Sequence, residues 1–235
     1  MKTYTIELIQ KREIAQGTYE FVFRKPSDFA YHAGQYVSLC VDKPEIAIPK
    51  GTMRELSLVS APYEDVLTLA LRFRDTVAKL GFMELEPGDT AYLQGPFGDY
   101  HLRAEDKTVV MLAGGIGIVP FISMLRQTFH QGDNRPFFLF FSNRQHTDMP
   151  YLPELAQLAK EYPQLRIINT LTGTPRDDFE SGYISPILLK KYLTPISEGA
   201  YYISGPQRCV GGMWEVLEEM HIPVSHIHGE EFTGY

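Results

Sequence analysis

Two rhythms of apolar and polar positions divide the chain. Through residue 103 the apolar positions come in short runs, Thr3–Ile9, Thr18–Arg24, Gln35–Val41, Arg54–Ser60, Leu67–Arg74 and Thr90–Leu93, which alternate or stay apolar and favour β-branched and aromatic residues. Turn chemistry separates them, as at Ala15-Gln16-Gly17, Lys25-Pro26-Ser27-Asp28 and Pro87-Gly88-Asp89. Short strands at this spacing predict a barrel or a sandwich, with one short helix over Thr76–Leu85. From residue 104 onward, apolar runs alternate with amphipathic stretches. Strands are predicted at Thr108–Ala113, Phe137–Phe141, Leu165–Thr170, Ala200–Ile203 and Val224–His228. Helices are predicted from Ile118 through Phe129, over Tyr151–Tyr162, over Ser185–Tyr192 and over Gln207–His221. That alternation predicts a parallel sheet covered on both faces. The change of rhythm falls in Leu102–Asp106 and gives two domains, 1–103 and 104–235.

Composition narrows the class. Hydrophobic residues make up 44% and charged residues 22%, values of a globular chain rather than a disordered one. No apolar run reaches the roughly 18 residues of a membrane helix, so no membrane insertion is expected. The opening residues alternate in polarity and lack the apolar core of a signal peptide, so a cytoplasmic protein is expected. The two cysteines, Cys40 and Cys209, cannot alone hold an iron–sulfur cluster or build a disulfide framework. A net charge of −7 argues against nucleic acid as a partner.

Five motifs carry candidate chemistry. Gly114-Gly115-Ile116-Gly117-Ile118-Val119-Pro120 follows a buried strand and opens a helix, with Pro120 in its first turn. Glycines there let backbone amides approach a ligand, and the helix start favours a phosphate. Ser204-Gly205-Pro206 repeats the strand-end turn, and two such turns in one parallel sheet suggest one extended ligand lying across both. Arg54-Glu55-Leu56-Ser57 lies on a strand. Its guanidinium fork suits a pyrophosphate and its hydroxyl can donate or accept. Gly95-Pro96-Phe97-Gly98 ends the last strand of the first half, and Glu231-Phe232-Thr233-Gly234-Tyr235 ends the chain. His226 and His228 share a strand face in this reading, but no third ligand stands at a metal spacing, so no metal is assigned.

In this order the motifs resemble the ferredoxin–NADP reductase superfamily, and most of all its compact bacterial stand-alone FAD/NAD(P)H oxidoreductases. The resemblance covers nearly the whole chain, including Asp75-Thr76-Val77-Ala78-Lys79. It implies a six-stranded antiparallel Greek-key β-barrel that binds FAD, followed by a five-stranded parallel Rossmann-like α/β domain that binds NAD(P)H. Arg54 then contacts the flavin pyrophosphate, with Glu55 and Leu56 beside it. Ser57 stands near flavin N5, and Thr76 and Lys79 help to hold the FAD phosphates. Gly114, Gly115, Gly117 and Pro120 lie under the nicotinamide nucleotide's pyrophosphate. Ser204, Gly205 and Pro206 match a Cys-Gly-Pro turn beside the nicotinamide. Glu231 and Phe232 lie near the flavin ring, and Tyr235 covers it. The chain departs from the family pattern at Leu56, which replaces an aromatic, and at Ser204, which replaces the cysteine.

The implied activity is hydride transfer from NAD(P)H to flavin N5. Positioning contributes roughly 7–11 kcal/mol in such reactions, more than one acid–base residue supplies. Ser57, Ser204 and Glu231, the residues assigned to the reacting zone, therefore orient and tune. The expected acceptor is a small redox protein such as ferredoxin or flavodoxin. Free flavin is the alternative, and a flavin-binding electron-transfer or regulatory subunit of a larger complex is the second. A ferredoxin needs a local basic patch, for which Arg12, Arg24, Lys25, Arg72 and Arg74 are the candidates. Arg144, after the second parallel strand, suits the 2′-phosphate of NADPH, with NADH as the other option.

Overall fold

The structure is a computed structural model that describes residues 2–41, 53–73, 81–193, 195 and 198–232. Its contacts gather into two compact units, Met1–His101 with Val119–Thr128, and Leu102–Ile118 with Phe129–Tyr235.

The first unit is an antiparallel sheet of β1 (Thr3–Ala15), β2 (Thr18–Arg24), β3 (Tyr36–Cys40), β4 (Arg54–Ser57), β5 (Val66–Arg72) and β6 (Thr90–Phe97), in the order β4-β3-β6-β1-β2-β5. The two outer strands meet where Leu58 bridges Leu69 and the Val59 N–H donates to the Thr68 carbonyl at 2.8 Å. The sheet therefore curls back on itself around one apolar core. Alternate residues fill that core: Ile6 and Leu8 from β1, Phe21 and Phe23 from β2, Val37 and Leu39 from β3, and Leu67, Leu69 and Leu71 from β5. Each such side chain contributes roughly 1.5–3 kcal/mol when fully buried.

Strand β1 runs well past the predicted Ile9. Thr3–Glu7 pair with β6 and Leu8–Ala15 with β2, with an irregularity between Leu8 and Gln10. Its second half carries Gln10-Lys11-Arg12-Glu13, so hydrophobic alternation could not reveal it. Lys11 extends Nζ to the carbonyls of Met83 (2.8 Å) and Leu85 (2.7 Å), beside the core residues Phe82 and Leu85. Residues 81–83 are helical, and the rest of the predicted Thr76–Leu85 helix lies largely outside the described residues. The middle of helix α1 (Ile118–His130) joins this unit. Ser123 Oγ donates to the Ser60 carbonyl at 2.6 Å, and Arg126 pairs with Glu64 at 3.2 Å.

The second unit is a parallel sheet of β7 (Thr108–Gly114), β8 (Phe137–Asn143), β9 (Leu165–Leu171), β10 (Glu180–Ser181), β11 (Gly199–Pro206) and β12 (Ile227–Phe232). Its order is β10-β9-β8-β7-β11-β12, so the chain moves outward on one side of β7 and then crosses to the other. That reversal is the place where open α/β sheets bind ligands. Helices α2 (Leu152–Glu161), α3 (Pro186–Tyr192) and α4 (Gln207–Glu219) complete the unit. Leu188 and Leu189 of α3 and Val210, Met213 and Leu217 of α4 pack on Val110, Leu112, Phe140, Tyr201 and Ile203 of the sheet. Phe129 at the end of α1 stacks on Tyr162 at 4.1 Å and meets Phe137 edge-on.

Two expectations are corrected here. The parallel sheet has six strands, not five, because Glu180–Ser181 pairs with Thr170–Leu171. Two polar residues leave no periodic signal. The last strand is Ile227–Phe232 rather than Val224–His228: Val224–His226 form a 3₁₀ turn, and pairing begins only where Ile227 meets Tyr201. His226 and His228 therefore do not share a strand face.

Candidate functional site

The carboxyl edge of the parallel sheet gathers three distant segments. Ala113 of β7 lies opposite Ser204 of β11, and Ser204, Gly205 and Pro206 lie opposite Glu230, Glu231 and Phe232 of β12. Strand register alone thus brings the glycine turn, the Ser-Gly-Pro turn and the acidic–aromatic tail side by side. The packing is backbone against backbone. A Cβ on Gly117 would sit 2.2 Å from the Ser204 carbonyl oxygen, and one on Gly205 would sit 3.1 Å from the Gly114 oxygen. Gly115 holds φ +54°, in the left-handed region that glycine adopts at no steric cost.

A short 3₁₀ turn, Gly115–Gly117, leads directly into α1, whose first turn includes buried Pro120 and no acidic residue. The donors and positive dipole end of such a turn suit an anion. Ser204 Oγ is fully buried and has no hydrogen-bond partner among the described residues. An orphan hydroxyl costs roughly 1–3 kcal/mol, a cost that a polar ligand atom offsets. Glu231 is exposed and Phe232 half-buried.

Cys209, in the first turn of α4, was not singled out by the sequence. Its Sγ lies where a Cβ on Gly114 would come to 2.3 Å. Burial pushes the thiol's pKa up, so Cys209 fills space under the turn rather than acting as a nucleophile.

A second cluster follows β8. Among the described residues, buried Asn143 has no partner for either amide atom, and exposed Arg144 has no ion-pair partner. The turn after β9 is clipped to this loop: the Thr172 N–H donates to the Asn143 carbonyl and the Gly173 N–H to the Arg144 carbonyl, both at 2.9 Å. Thr172-Gly173 offers in sequence only a glycine after a strand end, the device also found at Gly114 and Gly205.

In the barrel unit, Arg54 opens β4 opposite Leu39, and its Nε is buried without a partner among the described residues. That is an arrangement a phosphate oxygen repairs. Ser57 is buried at the strand's other end and Glu55 is exposed. Leu56 sits in the barrel core, so this side chain serves packing. Thr76, Lys79 and Tyr235 lie outside the described residues, as does Arg74.

The proposed basic patch is largely spent on local pairing. Arg12 binds Glu20 at 2.7 Å, Arg24 meets Glu7 at 3.7 Å, and Lys25 donates to the Pro62 and Glu64 carbonyls. Among the described residues, no group of three or more His, Cys, Asp or Glu is arranged to hold a metal ion. No helix among them is long and apolar enough to cross a membrane.

The chain is similar to several known proteins in sequence and in fold. Residues 111–213 match the oxidoreductase NAD-binding domain family. Over 242 residues the chain is 26% identical to the reductase subunit of an aromatic O-demethylase from Amycolatopsis sp., covering 99% of this chain and 70% of that protein. The crystal structure of the Amycolatopsis cytochrome P450 reductase GcoB superposes with a TM-score of 0.88 at 26% identity, over 99% of this chain and 70% of that one. A ferredoxin NADP+ reductase from Neisseria gonorrhoeae, solved with FAD and NADP, shares the fold at a TM-score of 0.83 and 24% identity, over 98% of this chain and 99% of that one. The curated relatives are longer, and this chain spans between 52% and 70% of their length.

Proposed function

We propose that this chain, a homologue of the ferredoxin reductase-like FAD/NAD(P)H oxidoreductases, takes hydride from NADPH into FAD and passes the electrons to a small redox protein such as a ferredoxin or flavodoxin. Residues 1–103 hold the flavin and 104–235 the nicotinamide nucleotide. The observation that carries this reading is the pair of strand-end turns flanking the β7/β11 reversal, packed so closely that Gly117 has no room for a methyl group beside Ser204.

Bound FAD supplies the hydride acceptor, so the reacting bonds need no acid–base residue of the chain. Arg54 pairs with the flavin pyrophosphate through a guanidinium whose Nε has no other partner among the described residues. Ser57 and Ser204 offer hydroxyls that orient the two rings, and the Gly114–Gly117 turn seats the nucleotide pyrophosphate against backbone donors. Glu231 and Phe232, held in register with Gly205 and Pro206, keep the place near the flavin ring that the resemblance gives them. Thr76, Lys79 and Tyr235 keep the roles that the resemblance gives them. Arg144 receives the 2′-phosphate. A protein acceptor is supported by the relatives, several of which are named as reductase components of oxygenase systems.

Anaerobic mixing tests the reading. The purified protein is expected to carry or take up FAD, and NADPH should bleach its visible bands. Arg54→Ala should weaken FAD retention by about tenfold or more, the worth of one charge-assisted phosphate contact. A colourless protein that FAD cannot reconstitute would overturn the proposal. Rapid turnover with free flavin, and none with ferredoxin or flavodoxin, would replace the acceptor but keep the chemistry.

A further inference from the structure

We infer that Gly173 is a positioning residue for coenzyme choice: it holds the Asn143–Gln145 loop where Arg144 meets the 2′-phosphate of NADPH. The inference rests on the nucleotide-site reading above and adds the residue that sets Arg144 in place. Gly173 has no left-handed φ, so space rather than backbone conformation demands a glycine here. A Cβ at this position would lie 2.5 Å from the Arg144 carbonyl oxygen, 2.9 Å from Gln145 Nε2 and 3.3 Å from Arg144 Cγ. The first of these is backbone, and it already accepts the Gly173 N–H at 2.9 Å. It cannot give way without breaking that bond. The neighbouring Thr172 holds Asn143 in the same way, through its N–H at 2.9 Å and its Oγ1 at 3.4 Å.

Two backbone bonds and one crowded glycine thus fix the chain on both sides of the Arg144 Cα, while the side chain itself is exposed. A guanidinium reads a phosphate through a planar fork, so a shift of its root degrades the contact even when the charge is kept. NADH, lacking the 2′-phosphate, does not use that fork. Movement of this loop should therefore fall mainly on NADPH.

The test compares wild type, Gly173→Ala, Arg144→Ala and the double variant as flavin-loaded enzymes. One readout is kcat/KM for NADPH and NADH with ferricyanide as acceptor. The other is calorimetric binding of 2′,5′-ADP and 5′-AMP, which needs no turnover. Gly173→Ala should lower the NADPH:NADH ratio by about tenfold through KM rather than kcat, and weaken 2′,5′-ADP relative to 5′-AMP by a similar factor. In the Arg144→Ala background the same change should move the ratio by less than about twofold, because its effect passes through that side chain.

Equal losses with both coenzymes, or a full drop that persists without Arg144, would overturn the inference. If Gly173→Ala does not fold, Thr172→Ala removes one contact to the loop without adding bulk. It should lower the ratio by about two- to threefold, as expected for one weak hydrogen bond, and an unchanged ratio sinks the idea. A wild type that binds both fragments equally also removes this inference, while hydride transfer stands. A wild type that binds neither fragment and oxidises neither coenzyme removes the functional reading with it.

Discussion

At the residue scale, glycine at the carboxyl edge of the sheet is required by distance. Gly117 faces a backbone carbonyl at 2.2 Å from any added Cβ, and neither partner is a flexible side chain that can swing away. Gly117→Ala is expected to destabilise the protein by about 1–3 kcal/mol, as overpacking does, and to weaken NADPH binding by at least about tenfold. Thermal melting and coenzyme titration check both effects. Leu56, in the core, offers a contrast: Leu56→Ala should cost about 2–5 kcal/mol in urea unfolding by opening a cavity. A loss below about 1 kcal/mol would place that side chain outside the packed core, where a surface substitution costs little.

At the scale of elements, β11 anchors the segment that enters the parallel sheet. The buried Tyr202 hydroxyl donates to Asp106 at 2.6 Å and accepts the Arg103 N–H at 3.0 Å, while Arg135 donates to the Arg103 and Asp106 carbonyls at 2.7 and 2.9 Å. Tyr202→Phe leaves both partners short and should cost about 1–3 kcal/mol in urea unfolding. His228 of β12 lies against the same ring, tilted by 32° with the centroids 4.8 Å apart. Burial lowers its pKa; Asp106 and Glu105 favour the charged form, and Arg103 and His226 oppose it. The unfolded state therefore takes up this proton first as pH falls. Its contribution to stability is present above the ordinary histidine pKa of about 6.5 and is lost as pH falls from there through the lower, folded value. His228→Asn should flatten the stability-versus-pH curve in that window, and a curve as steep as wild type would assign the dependence elsewhere.

At the scale of the whole molecule, net charge governs the approach of partners. The chain carries −7, and Arg12 and Arg24 face glutamates. Reduction of a strongly acidic acceptor should therefore speed up between about 10 and 200 mM salt, as screening shortens the reach of the repulsion. A rate that falls with salt would reveal a basic docking patch. The sequence by itself determined the two rhythms, most strands and helices to within a few residues, and the glycine turns at the ends of β7 and β11. Hydrophobic period and turn chemistry are local properties and are written locally. Tertiary structure alone decided the rest. Polar β1 beyond Ile9 and the two-residue β10 exist because a neighbouring strand offers hydrogen bonds, whatever their own pattern. Glu230, Glu231 and Phe232 reach Ser204, Gly205 and Pro206 because β12 starts pairing at Ile227. Gly173 matters because a strand pairing brings two loops within 3 Å of each other, a distance between residues far apart in the chain that no periodicity records.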